Sequence, residues 1–217
     1  MGRKIRVLMT GAGAPGGPGI YKALVTQDNF DVYTCDMNIN ASGRFLSPKK
    51  FEVIPAATDK DFIPKLMELC FRLDIDVVFP LVTMELFKLS EAKNQFAEKG
   101  IKIIVSGPSS LHLANDKGRL YEHLKNNNLK TPDFFLVNKV DELIERCHQL
   151  GYPKKPVVIK PAIGNGSRGI RILDESCNRY DLLFNHKPSS IYSNLNDILS
   201  AIGSEEIPEI VVSEFLP

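Results

Sequence analysis

The first half of the chain alternates short apolar runs with amphipathic segments, and this pattern constrains the fold more than any other feature of the sequence. The apolar runs cover residues 5–10, 32–35, 51–54, 76–80 and 101–108. The segments between them place apolar residues at helical spacing, as in residues 20–25, 62–73 and 86–96. Strands that alternate with helices indicate a parallel sheet with helices on both faces. We therefore predict an α/β domain with a parallel sheet over residues 1–110.

After residue 110 the pattern changes to that of a smaller α+β unit, predicted over residues 111–217. Asn115 or Asp116 is the expected cap of its first helix. The later elements expected are a helix over 140–150, two strands joined by a glycine-rich loop over 157–173, an irregular insertion over 174–209 with one helix near 195–202, and a last strand over 209–217. Because that apolar strand has nothing to fold back on, we expect a truncated unit, the front part of a longer protein. The alternative is an edge strand that closes a small domain.

Composition excludes several classes of function. The net charge of the 217-residue chain is +1, which gives no overall attraction to nucleic acid or to an anionic membrane, and no apolar run is long enough to span a bilayer. The four cysteines are far apart and form no C-x-x-C pair, and no signal peptide is present, so we expect reduced thiols and a cytoplasmic location. The four histidines show no metal-ligand spacing.

A glycine-rich turn follows the first predicted strand. Residues 11–16, GAGAPG, fit the G-x-G-x-x-G pattern of dinucleotide-binding proteins, and Asp36 ends the second strand. Pro15 and Pro18, however, remove two amide donors where a pyrophosphate would bind, and no Tyr-x-x-x-Lys pair is present for hydride chemistry. An NAD(P)-binding oxidoreductase therefore stays open as an alternative, beside a turn that serves only strand–helix packing.

A second glycine-rich segment, KPAIGNGSRG, begins at Lys160 at the end of an apolar strand. Its glycines allow backbone amides to approach a polyphosphate, and its cations neutralise charge, although the P-loop pattern is absent. We predict a nucleotide-binding hairpin, with a mobile hairpin of no function as the alternative. The hairpin residues predicted to bind ATP are Gly164, Asn165, Gly166, Ser167, Arg168 and Gly169.

Four further residues are candidates on weaker signals. Lys117 falls in the first turn of a helix, where the dipole disfavours a cation, so a functional role is one explanation and a common exposed lysine the other. Glu214 and Leu216 end the last strand, where a carbonyl and an amide can pair with an adenine edge. Glu85 follows the fourth strand, where the ligand crevice of an α/β sheet usually lies; a helix-start acid explains it equally well.

Taken together, these segments resemble the ATP-grasp superfamily. The order of Lys117, Lys160, the glycine hairpin and the acid–aromatic–aliphatic strand end carries the likeness, and VLMTGAGAPGGPGIYKAL and DIDVVFPLVTMEL are similar to carbamoyl-phosphate synthase-like members. The resemblance implies a Rossmann-like pre-ATP-grasp domain before the first ATP-grasp subdomain. Ser213 stands where many relatives have an acid, and lysines stand at 117 and 160 where synthases proper often have arginine, which favours a relative over a true synthase.

The resemblance implies roles for individual residues. Lys117 and Lys160 would contact ATP phosphates, with Lys160 also near the adenine. Residues 164–169 would cover the β- and γ-phosphates, and the Glu214 carbonyl and Leu216 amide would hold the adenine. The Mg²⁺ ligands of the family lie in the second half of the fold, so we expect no metal site here and magnesium ligands beyond residue 217.

The predicted function is the front part of an ATP-dependent carboxylate–amine ligase that acts through an acyl phosphate, without turnover by this chain alone. Gly13 and Glu85 are the expected contacts of the acceptor substrate. The expected partners are a small-molecule carboxylate and an amine, with a homodimer as a candidate assembly and neither nucleic acid nor membrane. The alternatives are the NAD(P)-dependent oxidoreductase and a non-catalytic nucleotide-binding module. On this interpretation Asp36 is an ordinary acid at a strand end.

Overall fold

The computed structural model describes residues 2–164, 166–187 and 191–216. The chain divides into two compact units, Met1–Leu111 (unit 1) and His112–Pro217 (unit 2). Unit 1 holds a five-stranded parallel sheet of order β3-β2-β1-β4-β5, which confirms the predicted α/β class. Its elements in chain order are β1 (Ile5–Thr10), α1 (Gly17–Val25), β2 (Phe30–Asp36), α2 (Ser42–Leu46), β3 (Phe51–Val53), α3 (Phe62–Arg72), β4 (Val77–Pro80), α4 (Thr83–Glu91), α5 (Lys93–Ala97) and β5 (Lys102–Ile103). Helix α6 (Pro108–Asn115) includes the last residues of unit 1 and the first residues of unit 2.

The core of unit 1 follows from the sequence pattern. Strand β1 is buried at Val7, Leu8 and Met9 in succession, as expected of a strand covered on both faces. Helix α3 buries Phe62 and Leu66, one turn apart, together with the next apolar residues on the same face. Each fully buried side chain of this size contributes about 2 kcal/mol of hydrophobic stabilisation. This core fixes the carboxyl ends of β1, β2 and β4 at one edge of the sheet, where ligands of such sheets usually bind.

One helix prediction in unit 1 was wrong in detail. The helix expected over residues 86–96 begins earlier, at Thr83, and is interrupted at Ala92, so that α4 and α5 are separate. The earlier start places Glu85 in the first turn of α4.

Unit 2 holds a mixed five-stranded sheet of order β6-β10-β7-β8-β9, in which only the β8–β9 pairing is parallel among the described strands. Its elements are α7 (Lys117–Asn126), β6 (Phe134–Val137), α8 (Val140–Gln149), β7 (Val157–Pro161), β8 (Arg171–Leu173), α9 (Arg179–Phe184), β9 (Tyr192–Ser193), α10 (Leu195–Ile202) and β10 (Ile210–Glu214). The segment after β8 was predicted to hold one helix, and the structure adds α9 and β9 to it. The Asn178 side chain caps α9 by accepting hydrogen bonds from two backbone amides.

The two faces of the unit 2 sheet have different environments. Val157 and Ile159 of β7 belong to a core that includes Leu143 of α8 and Leu195 of α10. Because side chains alternate along a strand, Lys160 lies on the opposite face. The sheet therefore presents a half-buried lysine on the face that its main core does not occupy.

Candidate functional site

Lys117 is held at the junction of α7 and β7. It is the first residue of α7, as predicted, and its backbone amide donates to the Ala162 carbonyl at 2.9 Å. Its ammonium donates to the carbonyls of Gly164 at 3.1 Å and Pro161 at 3.3 Å. Partial burial lowers the pKa of Lys117, and the charge of Lys160 lowers it further. The positive charges of the two lysines therefore repel each other, and an anion bound near both of them would reduce this repulsion.

Asp116 explains why α7 begins where it does. Its carboxylate accepts the Arg119 amide at 3.1 Å, so Asp116 is the helix cap, one of the two residues that the sequence offered. Gly118, which follows Lys117, is buried, and a Cβ there would come within 2.6 Å of a Leu136 methyl carbon. The first turn of α7 thus packs tightly against β6, and this packing fixes the position of Lys117.

Lys160 contacts a tyrosine that sequence reasoning missed. Its ammonium donates to the Tyr121 hydroxyl at 2.7 Å and lies 4.8 Å from the centre of that ring. Tyr121 in turn packs edge-on against Phe134, with ring centres 5.2 Å apart. Tyr121 follows Lys117 by four residues, so the two share a face of α7. That helical spacing is the signal that could have identified Tyr121.

The glycine hairpin between β7 and β8 uses left-handed backbone conformations. Gly166, Ser167 and Gly169 have φ values of 60°, 58° and 75°, and only the glycines adopt them without strain. A Cβ on Gly169 would lie 2.7 Å from the Pro161 ring, so glycine is also required by packing there. Arg168 turns back over the hairpin, with a guanidinium nitrogen 3.1 Å from where a Gly166 Cβ would be. The predicted Asn165 lies outside the described residues.

Glu214 is the last residue of β10, which lies between β6 and β7 in the sheet, and Leu216 follows two residues later. The Glu214 amide donates to the Asp133 carbonyl at 2.9 Å, and the Asp133 amide donates to the Glu214 carboxylate at 3.1 Å. Glu214 therefore ties the end of β10 to the segment before β6. Leu216 is exposed. On β10, Val211 pairs with Lys160 and Glu214 pairs with Val157, so Glu214 and the lysine lie on neighbouring strands, three residue pairs apart.

Unit 1 holds a separate cavity of about 640 Å³ at the carboxyl ends of its strands. Gly13 and Glu85, the two predicted acceptor contacts, both line it. Glu85 is buried, and its carboxylate accepts a hydrogen bond from the Thr10 hydroxyl. Burial raises the pKa of Glu85 to about 7, the Thr10 hydrogen bond opposes that rise, and the charge of Asp36 adds to it. Thr10 was missed in the sequence, although a polar residue at the end of a buried strand is a usable signal.

The glycine turn after β1 uses its amides internally. The Gly13 amide donates to the Asp36 carboxylate at 2.8 Å, and the amides of Ala14 and Gly17 donate to carbonyls of the turn itself. The other Asp36 oxygen accepts the Asn38 amide at 2.8 Å. Asp36 is thus a buried acid that stabilises the turn through these hydrogen bonds. The expectation that it is an ordinary acid at a strand end was wrong. A pyrophosphate or a ribose at this turn would have to displace these hydrogen bonds.

A second cavity, of about 410 Å³, lies in the segment that the sequence predicted to be irregular. Residues of α9, β9 and α10 line it, among them Arg179 and Asp197, together with Cys177, which precedes α9. Sequence reasoning gave no indication of this cavity, because its wall depends on the unpredicted α9 and β9.

Two general properties complete the description. Within the described ranges, no group of three or more histidine, cysteine, aspartate or glutamate side chains is placed to hold a metal ion. None of the helices in the same ranges combines the length and the apolar character needed to cross a bilayer.

Comparisons with known proteins assign both units. Residues 7–104 match the PylC-like N-terminal domain, and residues 114–187 match the ATP-grasp domain. The carbamoyl phosphate synthase large chain of Thermotoga neapolitana is 32% identical over 85 residues, which are 38% of this chain and 8% of that protein. The chain therefore spans a small fraction of the length of this curated relative.

Solved structures share the fold over the whole chain. N5-carboxyaminoimidazole synthetase from Staphylococcus aureus, complexed with ADP, superposes with a TM-score of 0.59 at 17% identity and covers 100% of this chain and 48% of its own. The biotin carboxylase domain dimer of the Hydrogenobacter thermophilus 2-oxoglutarate carboxylase, in complex with MgADP and bicarbonate, gives 0.57 at 19% identity, covering 100% and 45%. At these identities the likeness concerns the fold alone.

Proposed function

We propose that this chain, in which a PylC-like N-terminal domain precedes the first part of an ATP-grasp domain, is the front part of an ATP-dependent carboxylate–amine ligase. In such a reaction a carboxylate or bicarbonate oxygen attacks the γ-phosphorus of ATP and ADP leaves. The amine then attacks the acyl carbon, and phosphate leaves. The protein contributes mainly the positioning of the phosphates and the neutralisation of their charge.

The observation that carries the proposal is the coupling of Lys117 and Lys160 at the end of β7, beside the glycine hairpin. Both lysines lie in the segment that matches the ATP-grasp domain. Lys117 is already bound to the Gly164 carbonyl of the hairpin, so a phosphate near one group is near the other. Burial and the charge of Lys160 both lower the pKa of Lys117, and a polyphosphate that binds between the two ammonium groups offsets the second of these effects.

The remaining predicted contacts are assigned on the same basis. We place the adenine edge at the Glu214 carbonyl and the Leu216 amide, at the end of the strand that pairs with β7. We place the acceptor substrate in the unit 1 cavity beside Gly13 and Glu85. Magnesium is proposed to accompany ATP, as in the MgADP complex of the biotin carboxylase domain. The described residues do not gather a ligand set that fits this ion.

Nucleotide binding tests the proposal directly. ATP–Mg, ADP and NADH are titrated calorimetrically into the 217-residue chain and into the full-length natural protein that contains it. Lys160→Met should weaken ATP binding about tenfold or more, because a charged hydrogen bond contributes about 1.5–3 kcal/mol. Lys154→Met, at an exposed lysine of the same unit, should leave it unchanged. NADH binding that exceeds ATP binding and ignores Lys160 would contradict the proposal.

Turnover separates the ligase from the non-catalytic nucleotide-binding module. The full-length protein is incubated with ATP and a panel of carboxylates and amines, and phosphate release is measured. Release that requires both partners supports the ligase. Release that no carboxylate or amine alters favours the module. The internal hydrogen bonds of the Gly13 turn disfavour the remaining alternative, an NAD(P)-dependent oxidoreductase.

Location and assembly are proposed on more general grounds. Cysteine spacing favours a reducing compartment, and we propose the cytoplasm. A homodimer is proposed by analogy with the biotin carboxylase domain dimer, and sedimentation of the full-length protein tests it.

A further inference from the structure

The charge of the unit 1 cavity differs from that of a typical crevice at the carboxyl edge of a parallel sheet. Such crevices usually attract anions, because helix N-termini and glycine turns direct amides into them. Here the Asp36 carboxylate accepts the Gly13 amide of the glycine turn and the Asn38 amide that follows β2, and Glu85 occupies the first turn of α4. Among the described residues that line the cavity, Asp36 and Glu85 carry the only charged groups, and lysine, arginine and histidine are absent.

The rest of the wall is largely apolar. Met37 and Met84 both line the cavity and are 66% and 61% exposed, so both side chains are accessible to a ligand. Methionine side chains adapt to ligands of varied shape. Ala57 and Val82 add further apolar surface. The cavity volume, about 640 Å³, is within the range of small-molecule sites.

From this combination of two carboxyl groups, no cation and an apolar wall, we infer that the unit 1 cavity binds a small molecule with a protonated amine on an apolar chain, and that it rejects carboxylates and phosphates. The Glu85 carboxylate receives the ammonium group, and the methionines contact the chain. The inference deepens the proposed function, since it rests on the cavity being the acceptor site and names the chemical class of the acceptor.

The groups that face Glu85 make the binding dependent on pH. They are the Thr10 hydroxyl of β1 and, on β2, the Cys35 thiol and the Asp36 carboxylate. Burial raises the pKa of Cys35 well above its ordinary value, so the thiol stays neutral near pH 7. Glu85 has a pKa of about 7 before the ligand binds, and an ammonium group binds its ionised form. Affinity for an alkylamine should therefore fall about tenfold from pH 8 to pH 6.

The test compares hexylamine, hexanol and hexanoate, which share one alkyl chain and differ in head-group charge. Each is titrated calorimetrically into the whole chain without nucleotide. Hexylamine should bind more tightly than hexanol, and hexanoate most weakly. Glu85→Gln should weaken hexylamine binding about tenfold or more at pH 8 and remove its pH dependence. Glu91→Gln, at an exposed acid of the same helix, should change neither.

The outcomes separate the inference from the proposed function. Hexanoate binding equal to or tighter than hexylamine binding, no hexylamine binding, or binding that ignores both pH and Glu85 would overturn the inference. The head-group order and the pH profile of the unmodified chain need no variant, so they remain decisive if Glu85→Gln fails to fold. ATP binding to the unmodified chain and to Lys160→Met is measured on the same preparations. ATP binding that is absent, or that does not depend on Lys160, would contradict the proposed function and not the inference about the cavity.

Discussion

The buried Glu85 predicts a specific dependence of stability on pH. Its pKa rises from the ordinary value of 4.5 to about 7 in the folded chain, chiefly through burial. Below pH 4.5 the Glu85 carboxyl is protonated in both the folded and the unfolded chain, so its ionisation does not change the free energy of unfolding. As the pH rises to about 7, the unfolded chain ionises and the folded chain does not, so the free energy of unfolding falls. At about 1.4 kcal/mol for each pH unit, the loss amounts to about 3 kcal/mol above pH 7.

Glu85→Gln removes this ionisation while keeping an oxygen that accepts from Thr10. The free energy of unfolding is measured by urea denaturation from pH 4 to pH 8 and followed by a probe confined to unit 1, because the two units need not unfold together. The variant should gain about 3 kcal/mol relative to the unmodified chain between the two ends of this range. Glu91→Gln serves as the control. Parallel curves for the Glu85 variant and the unmodified chain would refute the reasoning.

Two further predictions concern turns. Gly169→Ala should destabilise unit 2 by about 2 kcal/mol or more, as measured by chemical denaturation. Gly100→Ala is the control in unit 1 and should destabilise less. Both glycines have positive φ, but a Cβ at Gly100 would enter open space, whereas a Cβ at Gly169 would meet a proline ring. Equal losses would show that the proline contact costs nothing. Asp36→Asn should lower the free energy of unfolding by about 1–3 kcal/mol, because the amide oxygen of asparagine can replace only one of the two carboxylate oxygens that accept backbone amides. Asp28→Asn, at an exposed acid, should leave the free energy of unfolding nearly unchanged in the same assay. An Asp36 variant as stable as its control would show that these two hydrogen bonds do not stabilise the glycine turn.

Local patterns were sufficient for the strands of the parallel sheet and for the positions of Lys117 and Lys160 in their elements. The strands of the parallel sheet, the hairpin after Lys160 and the start of α7 at Lys117 all depend on residues close in sequence, such as an apolar run followed by glycine or an acid before a helix. These features were predicted because caps, turns and periodicity act over a few residues.

Contacts between distant residues were not predicted from the sequence. Thr10 and Glu85 are 75 residues apart, and Lys160 and Tyr121 are 39 apart. The pKa of Glu85 depends on burial, which an isolated acid after a strand does not reveal. The role of Asp36 was misjudged for the same reason, since its partner Gly13 lies 23 residues earlier. Helix α9 was missed because its 6 residues are too few to show a helical period in the sequence.

The order of strands in unit 2 has a consequence for how the chain folds as it is synthesised. Strand β10 is the last element of the described chain, yet it lies between β6 and β7 and pairs with both. Unit 1 has all five of its strands once Ile103 has emerged from the ribosome, whereas β6 has no neighbour in its sheet until Glu214 has been added. During that interval β6 has no partner and one edge of β7 stays unpaired, and unpaired strand edges of this kind favour aggregation.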